Sequence, residues 1–281
     1  MCGISGIIGN DPAQVNLDIL QQMTDKIAHR GPDGAGHWID EQQKVALGHR
    51  RLSIIDLSET ANQPMHYLDR YTIVFNGEIY NYIELREDLL KKGYTFKTQG
   101  DTEVLMALYD QHKEGCLEFL DGMFAFAIYD TKEQTVFCAR DRFGEKPFFF
   151  HHQPGKVFYF ASEMKALWAA GVSAEVNPAM LYNYLQDGYL ENPNDASETF
   201  YLHCKRLPHA HWLKLDLQTL NYQVRPYYQI NWKFENKQIT VPDAIEQFQH
   251  LMRTSVKRRL RSDVPVGSSL SGGLDSSLVV C

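Results

Sequence analysis

The spacing of apolar residues along most of the chain predicts short strands interspersed with a few helices. An apolar, β-branched run at 2–8 predicts an N-terminal strand, and apolar residues at helical spacing over 17–27 predict a helix. An Asn-Gly pair at 76–77 is typical of a turn and is expected to end a strand at 71–75. The other predicted elements are strands at 45–55, 123–129, 135–139, 148–152, 157–161 and 202–217, and helices at 82–92 and 102–112.

This pattern predicts two domains, the second of them incomplete. Many strands without regular β-α-β alternation favour a layered α+β fold for residues 1–215. Residues 216–241 are then expected to form a linker and 242–281 the start of a second domain. There a helical stripe, an apolar strand at 264–270, a Gly-rich turn and a helix from about Asp275 follow one another. That order is typical of the beginning of a doubly wound α/β nucleotide-binding domain.

The composition is that of an ordinary globular protein. Of the 281 residues, 44% are hydrophobic and 22% are charged, which excludes a disordered, collagenous or coiled-coil chain. The net charge of −7 excludes a chain-wide electrostatic footprint for nucleic acid. No apolar run approaches the roughly 18 residues of a membrane span. We therefore expect neither a nucleic-acid partner nor a membrane association.

The cysteines and histidines bear on the cellular compartment and on metal binding. The five cysteines are scattered and never form a Cys-x-x-Cys pair, which argues against a disulfide framework or a zinc cluster. A reducing cytoplasm is the natural location for such a chain. The 11 histidines show no metal-ligand spacing, so no metal site is expected among these residues.

Cys2 is the first candidate for chemistry. Removal of Met1 would place an α-amino group and a thiol on the same residue, with ordinary pKa values near 8 and 8.5. The amine can then accept the proton of the thiol, which is one way of activating a nucleophile. A small buried cysteine at the start of a strand is the structural alternative.

Other residues could bind and polarise a carboxamide substrate. Asn76 and Gly77 could together donate a side-chain and a backbone N–H to a developing oxyanion. Arg51 could form a forked contact with a carboxylate, and strand alternation would direct Arg50 to the opposite face. Asp101 could bind an ammonium group, or it could simply cap the helix that follows it.

Taken together, these residues lie in motifs that occur in one order: MCGISGIIG, HRGPDG, RRLSIIDLS, FNGEIYNY, GDTEV, LDGMFAFAIYD, RDRFGEKPFFF and ASEMKAL. The series resembles the glutaminase domain of glutamine-hydrolysing asparagine synthetases, which are N-terminal-nucleophile amidotransferases. The resemblance covers almost the whole chain. It implies a four-layer αββα fold and the hydrolysis of glutamine to glutamate and ammonia, a reaction that needs no cofactor.

The resemblance also implies a role for each matched residue. Cys2 would be the nucleophile with its own amine as base, and Asn76 and Gly77 would form the oxyanion hole. The residues implied to bind glutamine are Arg51, Leu52, Ser53, Ile54, Ile55, Asn76, Gly77, Glu78 and Asp101.

A second motif, Ser-Gly-Gly-Leu-Asp-Ser-Ser at 271–277, suits a phosphate-binding loop before a helix. It lacks the lysine of a Walker A loop and resembles the pyrophosphate loop of ATP pyrophosphatases. The resemblance implies that ATP, with magnesium nearby, adenylates the β-carboxylate of aspartate and that ammonia from glutamine displaces AMP. The implied ATP-binding residues are Leu270, Ser271, Gly272, Gly273, Asp275 and Ser276.

Because the chain stops soon after this loop, we expect it to retain only glutamine hydrolysis. One alternative is an amidotransferase that serves another acceptor, such as a sugar, peptide or lactam precursor. A second is a non-catalytic remnant that binds a partner. The oligomeric state is left open by the sequence, and the resemblance allows a homodimer.

Overall fold

Two six-stranded sheets, antiparallel throughout, lie face to face in the computed structural model, which describes residues 1–233, 235 and 238–280. The first sheet has the order β10-β8-β9-β1-β3-β2 and the second the order β12-β11-β7-β6-β5-β4. In chain order the strands are β1 (Gly3–Gly9), β2 (Gly34–Ile39), β3 (Val45–Arg51), β4 (Met65–Tyr67), β5 (Tyr71–Ile79), β6 (Gly122–Asp130), β7 (Thr135–Arg140), β8 (Phe149–Gln153), β9 (Val157–Ala161), β10 (Lys205–Arg206), β11 (His211–Asp216) and β12 (Tyr222–Pro226).

Helices cover the outer face of each sheet. The α-helices are α1 (Leu17–Lys26), α2 (Tyr82–Lys91), α3 (Asp101–His112), α4 (Met164–Ala169), α5 (Pro178–Asp187), α6 (Val241–Arg259) and α7 (Leu274–Val280). Helices α1 and α4 pack on the first sheet and α2 and α3 on the second. This arrangement has the four layers αββα, so the predicted α+β fold of the first domain is confirmed.

Strand alternation builds the core between the sheets. Ile4 and Ile8 of β1 point inward together with Val74 of β5, and all three are fully buried. Ile7 points outward to the layer under α1, as does Ala46 of β3. Burying each large aliphatic side chain contributes about 1.5–3 kcal/mol, so this alternation fixes the register of both sheets.

Several local expectations are wrong. The strand predicted at 45–55 ends at Arg51, and the one predicted at 202–217 is broken into β10 and β11. The strand predicted at 71–75 continues to Ile79, because Asn76 and Gly77 pair with Ala125 and Phe124 of β6 instead of forming a turn. Residues 264–270 form no strand, and no described strand lies beside them to supply hydrogen-bond partners. Strand β12 lies inside the predicted linker 216–241 and pairs with β11, so the sheet extends beyond residue 215.

The C-terminal segment is docked on the first domain through its basic residues. Arg258, at the end of α6, pairs with Asp121 at 2.9 Å, and Arg261 just after it pairs with Glu84 at 2.6 Å. Positions 234, 236 and 237 of the predicted linker, and 281 at the end of the predicted second domain, lie outside the described residues.

Candidate active site

The layer between the sheets is apolar along most of its length and becomes polar at one end. Going along β1 from Ile8 through Ile4, the next inward position is Cys2. On β3 the inward series ends with His49 and Arg51, and on β5 Val74 is followed by Asn76 and then Glu78. The pleat of three strands therefore brings polar side chains together at one end of the core.

A cavity of about 330 Å³ opens among these side chains. All of the predicted catalytic and glutamine-binding residues line it except Ser53, whose backbone N–H donates instead to Asp33 at 2.8 Å. The lining residues are Met1, Cys2, Arg51, Leu52, Ile54, Ile55, Ala61, Gln63, Met65, Phe75, Asn76, Gly77, Glu78, Gly100, Asp101, Thr102, Met123 and Lys146.

The Cys2 thiol faces a backbone donor. The N–H of Leu52 donates to Cys2 Sγ at 3.3 Å, and Arg30 Nε donates to the Cys2 carbonyl at 2.9 Å, which holds the start of β1 in place. Burial raises the pKa of the thiol, although the Leu52 contact and the nearby N-terminal amine oppose this. Burial also lowers the pKa of the α-amine of Met1, which favours its neutral form.

The Asn76 side chain is a buried donor without an acceptor. Asn76 is 1% exposed, and its Nδ2 has no hydrogen-bond partner among the described residues. Leaving such a group unpaired costs the folded state about 1–3 kcal/mol, so an unpaired buried donor in a native structure calls for a role other than stability. Asn76 is one of the residues that line the cavity.

Gly77 adds a backbone donor by its place in the ladder. Phe124, its partner on β6, uses both of its main-chain groups on Asp141: its carbonyl accepts from Asp141 N at 2.8 Å and its N–H donates to Asp141 Oδ2 at 3.2 Å. Gly77 therefore directs its own N–H away from β6. On the other side of β5, pairing with β4 ends where Met65 lies opposite Ile73, and Gln63 Oε1 accepts from Phe75 N at 2.6 Å. The next N–H on that side of β5 belongs to Gly77, which lines the cavity. A Cβ on Gly77 would lie 2.2 Å from the Met123 carbonyl oxygen, so no larger residue fits.

Arg51 presents a fixed guanidinium to the cavity. Nη1 donates to the Ser58 carbonyl and to Asn62 Oδ1, both at 2.8 Å, and Nη2 donates to the Asp56 carbonyl. Two of the five N–H groups, Nε–H and one on Nη2, have no acceptor among the described residues. Arg50 contacts Thr24 and Asp25 of α1 on the outer face, as strand alternation predicts.

Two acidic side chains, Glu78 and Asp101, face the cavity near one another. Asp101 is the first residue of α3 and not its cap, which is Gly100. Its Oδ2 accepts from Ile79 N at 2.9 Å, and burial, reinforced by the charge of Glu78, raises its pKa to about 6. Burial likewise raises the pKa of Glu78, against the opposing charge of Lys146. The pair forms an electronegative wall that would favour a cation.

Sequence reasoning missed Lys146 and His49. Lys146 is buried, lines the cavity and contacts Met1 Sδ at 3.1 Å. Its only sequence signal was its place in the RDRFGEKPFFF motif. His49 bridges the sheets by bonding the Phe75 carbonyl at 3.1 Å, and burial lowers its pKa to about 3, so it is neutral.

Comparison with known proteins agrees with this geometry. Residues 1–228 match the glutamine amidotransferase domain family. The chain belongs to this family. Residues 247–281 match the asparagine synthase family.

Two relatives of this amidotransferase chain are named as asparagine synthetases. Glutamine-hydrolyzing asparagine synthetase 1 of Bacillus subtilis is 40% identical over 290 residues, covering 100% of this chain and 43% of the relative. Glutamine-hydrolyzing asparagine synthetase 3 of the same organism is 37% identical, covering 99% of this chain and 44% of the relative. The chain thus spans about half the length of the curated relatives that it matches.

A solved structure shares the fold. The glutamine phosphoribosylpyrophosphate amidotransferase from B. subtilis, complexed with ADP and GMP, matches with a TM-score of 0.59 and 21% identity, covering 82% of this chain and 50% of that one. At this identity the likeness speaks to the fold alone. Among the described residues no helix is long and apolar enough to cross a membrane.

The second predicted site is a separate, open loop. Ser271 Oγ and Ser276 Oγ are 2.9 Å apart beside Gly272, whose φ of 80° lies in the left-handed region. Leu270 is 61% exposed, and no described strand covers the loop. Within the described part of the chain, no group of three His, Cys, Asp or Glu side chains could hold a metal ion.

Proposed function

We propose that the cavity at the end of β1 hydrolyses glutamine to glutamate and ammonia, with Cys2 as the nucleophile. The observation that carries this proposal is the unpaired, buried Asn76 Nδ2, which lies with the Gly77 N–H in the wall of the cavity that contains the thiol. Two donors without protein acceptors next to a nucleophile are what an oxyanion hole requires.

The chemistry begins once Met1 is removed. The amine of Cys2 takes the thiol proton, Sγ bonds to the amide carbon of glutamine, and the C=O electrons move to the oxygen facing Asn76 and Gly77. The C=O bond then re-forms as the C–N bond breaks, and the protonated amine gives its proton to the departing nitrogen. Ammonia is released, and the glutamyl group remains bound to Sγ as a thioester. Water attacks the thioester with the same amine as base, and cleavage of the C–S bond releases glutamate.

The charges along the cavity favour an α-amino acid. The two N–H groups of Arg51 that lack a protein acceptor would bind the α-carboxylate of glutamine. Glu78 and Asp101 would attract its α-ammonium group. Because Arg51 is already held by three hydrogen bonds, its position costs little further ordering when the substrate binds.

For a protein in which this chain is joined to the rest of an asparagine synthase domain, we propose the synthesis of asparagine from aspartate, ATP and glutamine. The match of residues 247–281 to the asparagine synthase family supports aspartate as the acceptor over a sugar, peptide or lactam precursor. Gly272 and the hydroxyls of Ser271 and Ser276 fit phosphate oxygens, and Leu270, Gly273 and Asp275 adjoin them. ATP would supply the activation of the aspartate carboxylate. No described cluster fits magnesium, so we assign it no ligand.

We also propose a domain boundary, a cellular location and an oligomeric state. We place the boundary of the amidotransferase domain after Pro226, where β12 ends, and a linker before α6 at Val241. None of the four described cysteines forms a disulfide, which supports a cytoplasmic location. A homodimer is also proposed, and light scattering of the purified chain tests it.

The assay is glutamate release from glutamine without ATP, using protein whose N-terminus has been verified by mass spectrometry. The Cys2→Ala variant keeps the fold and serves as the matched control. We expect release by the Met1-free chain and only background release by Cys2→Ala. Equal rates in the two would show that the site has no such activity and would favour a non-catalytic binding role.

A further inference from the structure

The loop between β3 and β4 turns on Asp56, a residue in an unfavourable backbone conformation. Its φ is 53°, in the left-handed region that costs a non-glycine residue about 1–3 kcal/mol unless its surroundings hold it. Asp56 is 8% exposed. Its Oδ1 accepts from Ser58 N at 3.1 Å and its Oδ2 from Gln99 N at 2.7 Å. Burial opposes ionisation here, but the hydrogen bond from the Ser58 hydroxyl, together with these backbone donors, outweighs it and lowers the pKa of the carboxyl.

Asp56 thereby connects the two walls of the glutamine cavity. Its carbonyl accepts from Nη2 of Arg51, the group proposed for the α-carboxylate. Its side chain holds Gln99, two residues before Asp101, the group proposed for the α-ammonium. A shift of Asp56 would therefore move both groups that would recognise the amino-acid end of the substrate.

The main-chain N–H of Asp56 is hydrogen-bonded to a residue far along the sequence. Asp56 N–H donates to Asp263 Oδ2 at 2.7 Å, and Asp263 N–H donates to the Ile54 carbonyl at 2.9 Å. These two bonds hold the loop from both sides as a bracket, and the one between Asp56 and Asp263 joins residues 207 positions apart. Asp263 lies between α6 and the predicted ATP loop.

Asp263 is itself fixed by the docked turn that precedes it. Arg261 donates to Glu84 of α2 at 2.6 and 2.8 Å, and this contact lowers the pKa of Glu84 to about 2. Arg258 pairs with Asp121 at 2.9 Å. The bracket on Asp56 thus rests on a segment anchored to the amidotransferase domain by charged pairs.

We propose that Asp263 is a positioning residue for the glutamine cavity, acting through Asp56 on Arg51 and on the segment before Asp101. This inference rests on the proposed glutamine hydrolysis. The Asp263 carboxylate touches no substrate and lines no part of the cavity. Its loss leaves the Asp56 N–H without its acceptor and releases the loop from its left-handed conformation. Substrate binding should weaken, whereas the thiol and the oxyanion donors stay in place.

The test measures KM and kcat for glutamine with the full, Met1-free chain. For Asp263→Ala we expect KM to rise about fivefold to tenfold, because one charge-assisted hydrogen bond is lost, with kcat within about twofold. Asp263→Asn keeps an acceptor oxygen at the same place and should restore a KM close to wild type. Glu246→Ala removes the same charge from an exposed position on α6 and should change neither constant.

A second readout does not depend on turnover. Iodoacetamide can reach the partly buried Cys2 thiol through the cavity without needing the glutamine-binding groups, and bound glutamine should protect Cys2 from it. Asp263→Ala should be alkylated at the wild-type rate without glutamine but need about fivefold to tenfold more glutamine for protection. Asp263→Glu, which keeps the charge but displaces the carboxylate by one methylene, provides the same comparison should the alanine variant not fold.

The outcomes separate this inference from the proposed function. A wild-type chain that hydrolyses glutamine, together with Asp263→Ala or Asp263→Glu variants whose KM and protection stay within twofold of it, overturns the positioning role alone. An Asp263→Asn variant as impaired as Asp263→Ala also overturns it, because the acceptor oxygen would then not matter. A wild-type chain with neither hydrolysis nor protection overturns both proposals.

Discussion

Asn76→Ala should separate activity from stability. The substitution removes the side-chain donor proposed for the oxyanion, and loss of one such donor typically lowers kcat by about 10²–10³-fold, or about 2.7–4 kcal/mol of transition-state stabilisation. Asn76 Nδ2 is also buried without a partner, at a cost of about 1–3 kcal/mol to the folded state. Removing it offsets the packing lost at the cavity wall. We therefore expect kcat to collapse while the melting temperature does not fall.

The matched control is Asn16→Ala, the same chemical change at a residue far from the cavity. Asn16 Oδ1 accepts from Ile19 N at 2.9 Å and caps α1, so its loss should cost about 1 kcal/mol and about 2–4 °C in Tm. Its glutaminase activity should be unchanged. Glutamate release and differential scanning calorimetry on both variants give the answer. An Asn76→Ala enzyme within threefold of wild-type kcat would refute the oxyanion role.

Three further predictions follow from contacts in the structure. Gly77→Ala should be inactive and destabilised, because its Cβ would lie 2.2 Å from the Met123 carbonyl oxygen; wild-type kinetics would show that the strand yields easily. The folded-state pKa of Asp101 is about 6 against an ordinary 3.8, so its contribution to stability is complete below about pH 3.8 and is lost as pH rises through about 6. In urea denaturation, the free energy of unfolding of Asp101→Asn should therefore increase relative to that of wild type between pH 5 and 8. Its KM for glutamine should rise. A difference in unfolding free energy that does not change with pH would contradict this. Limited proteolysis should cut first within 264–273, which has no regular structure, and initial cleavage within β5 or β6 would argue against that.

The residues that the resemblance implied for the site lie together because the cavity continues the pleat of the sheets. Cys2, Arg51 and Asn76 occupy inward positions on three strands whose apolar residues mark the same face. Alternation predicted that Arg50 and Arg51 face opposite sides of the sheet, and the matched motif, in which Arg51 directly precedes Leu-Ser-Ile, selected Arg51. Arg50 contacts α1 on the outer face.

Features set by distant pairing could not be predicted in this way. The Asn-Gly signal at 76–77 was overridden by nine residues of pairing between β5 and β6, which a local turn preference cannot outweigh. The apolar run at 264–270 has strand composition but no described neighbour to bond with. The bracket between Asp56 and Asp263 joins positions whose sequence contexts reveal nothing of their contact.

The central claim is that Cys2 acts with its own α-amine, and comparison of Met1-free and Met1-retaining forms of the same chain tests it most directly. The two forms differ by one residue, and in the retaining form the amine sits on Met1 while the thiol stays on Cys2. We predict that the Met1-free form releases glutamate from glutamine and that the retaining form does not. Equal rates from the two forms would contradict the account.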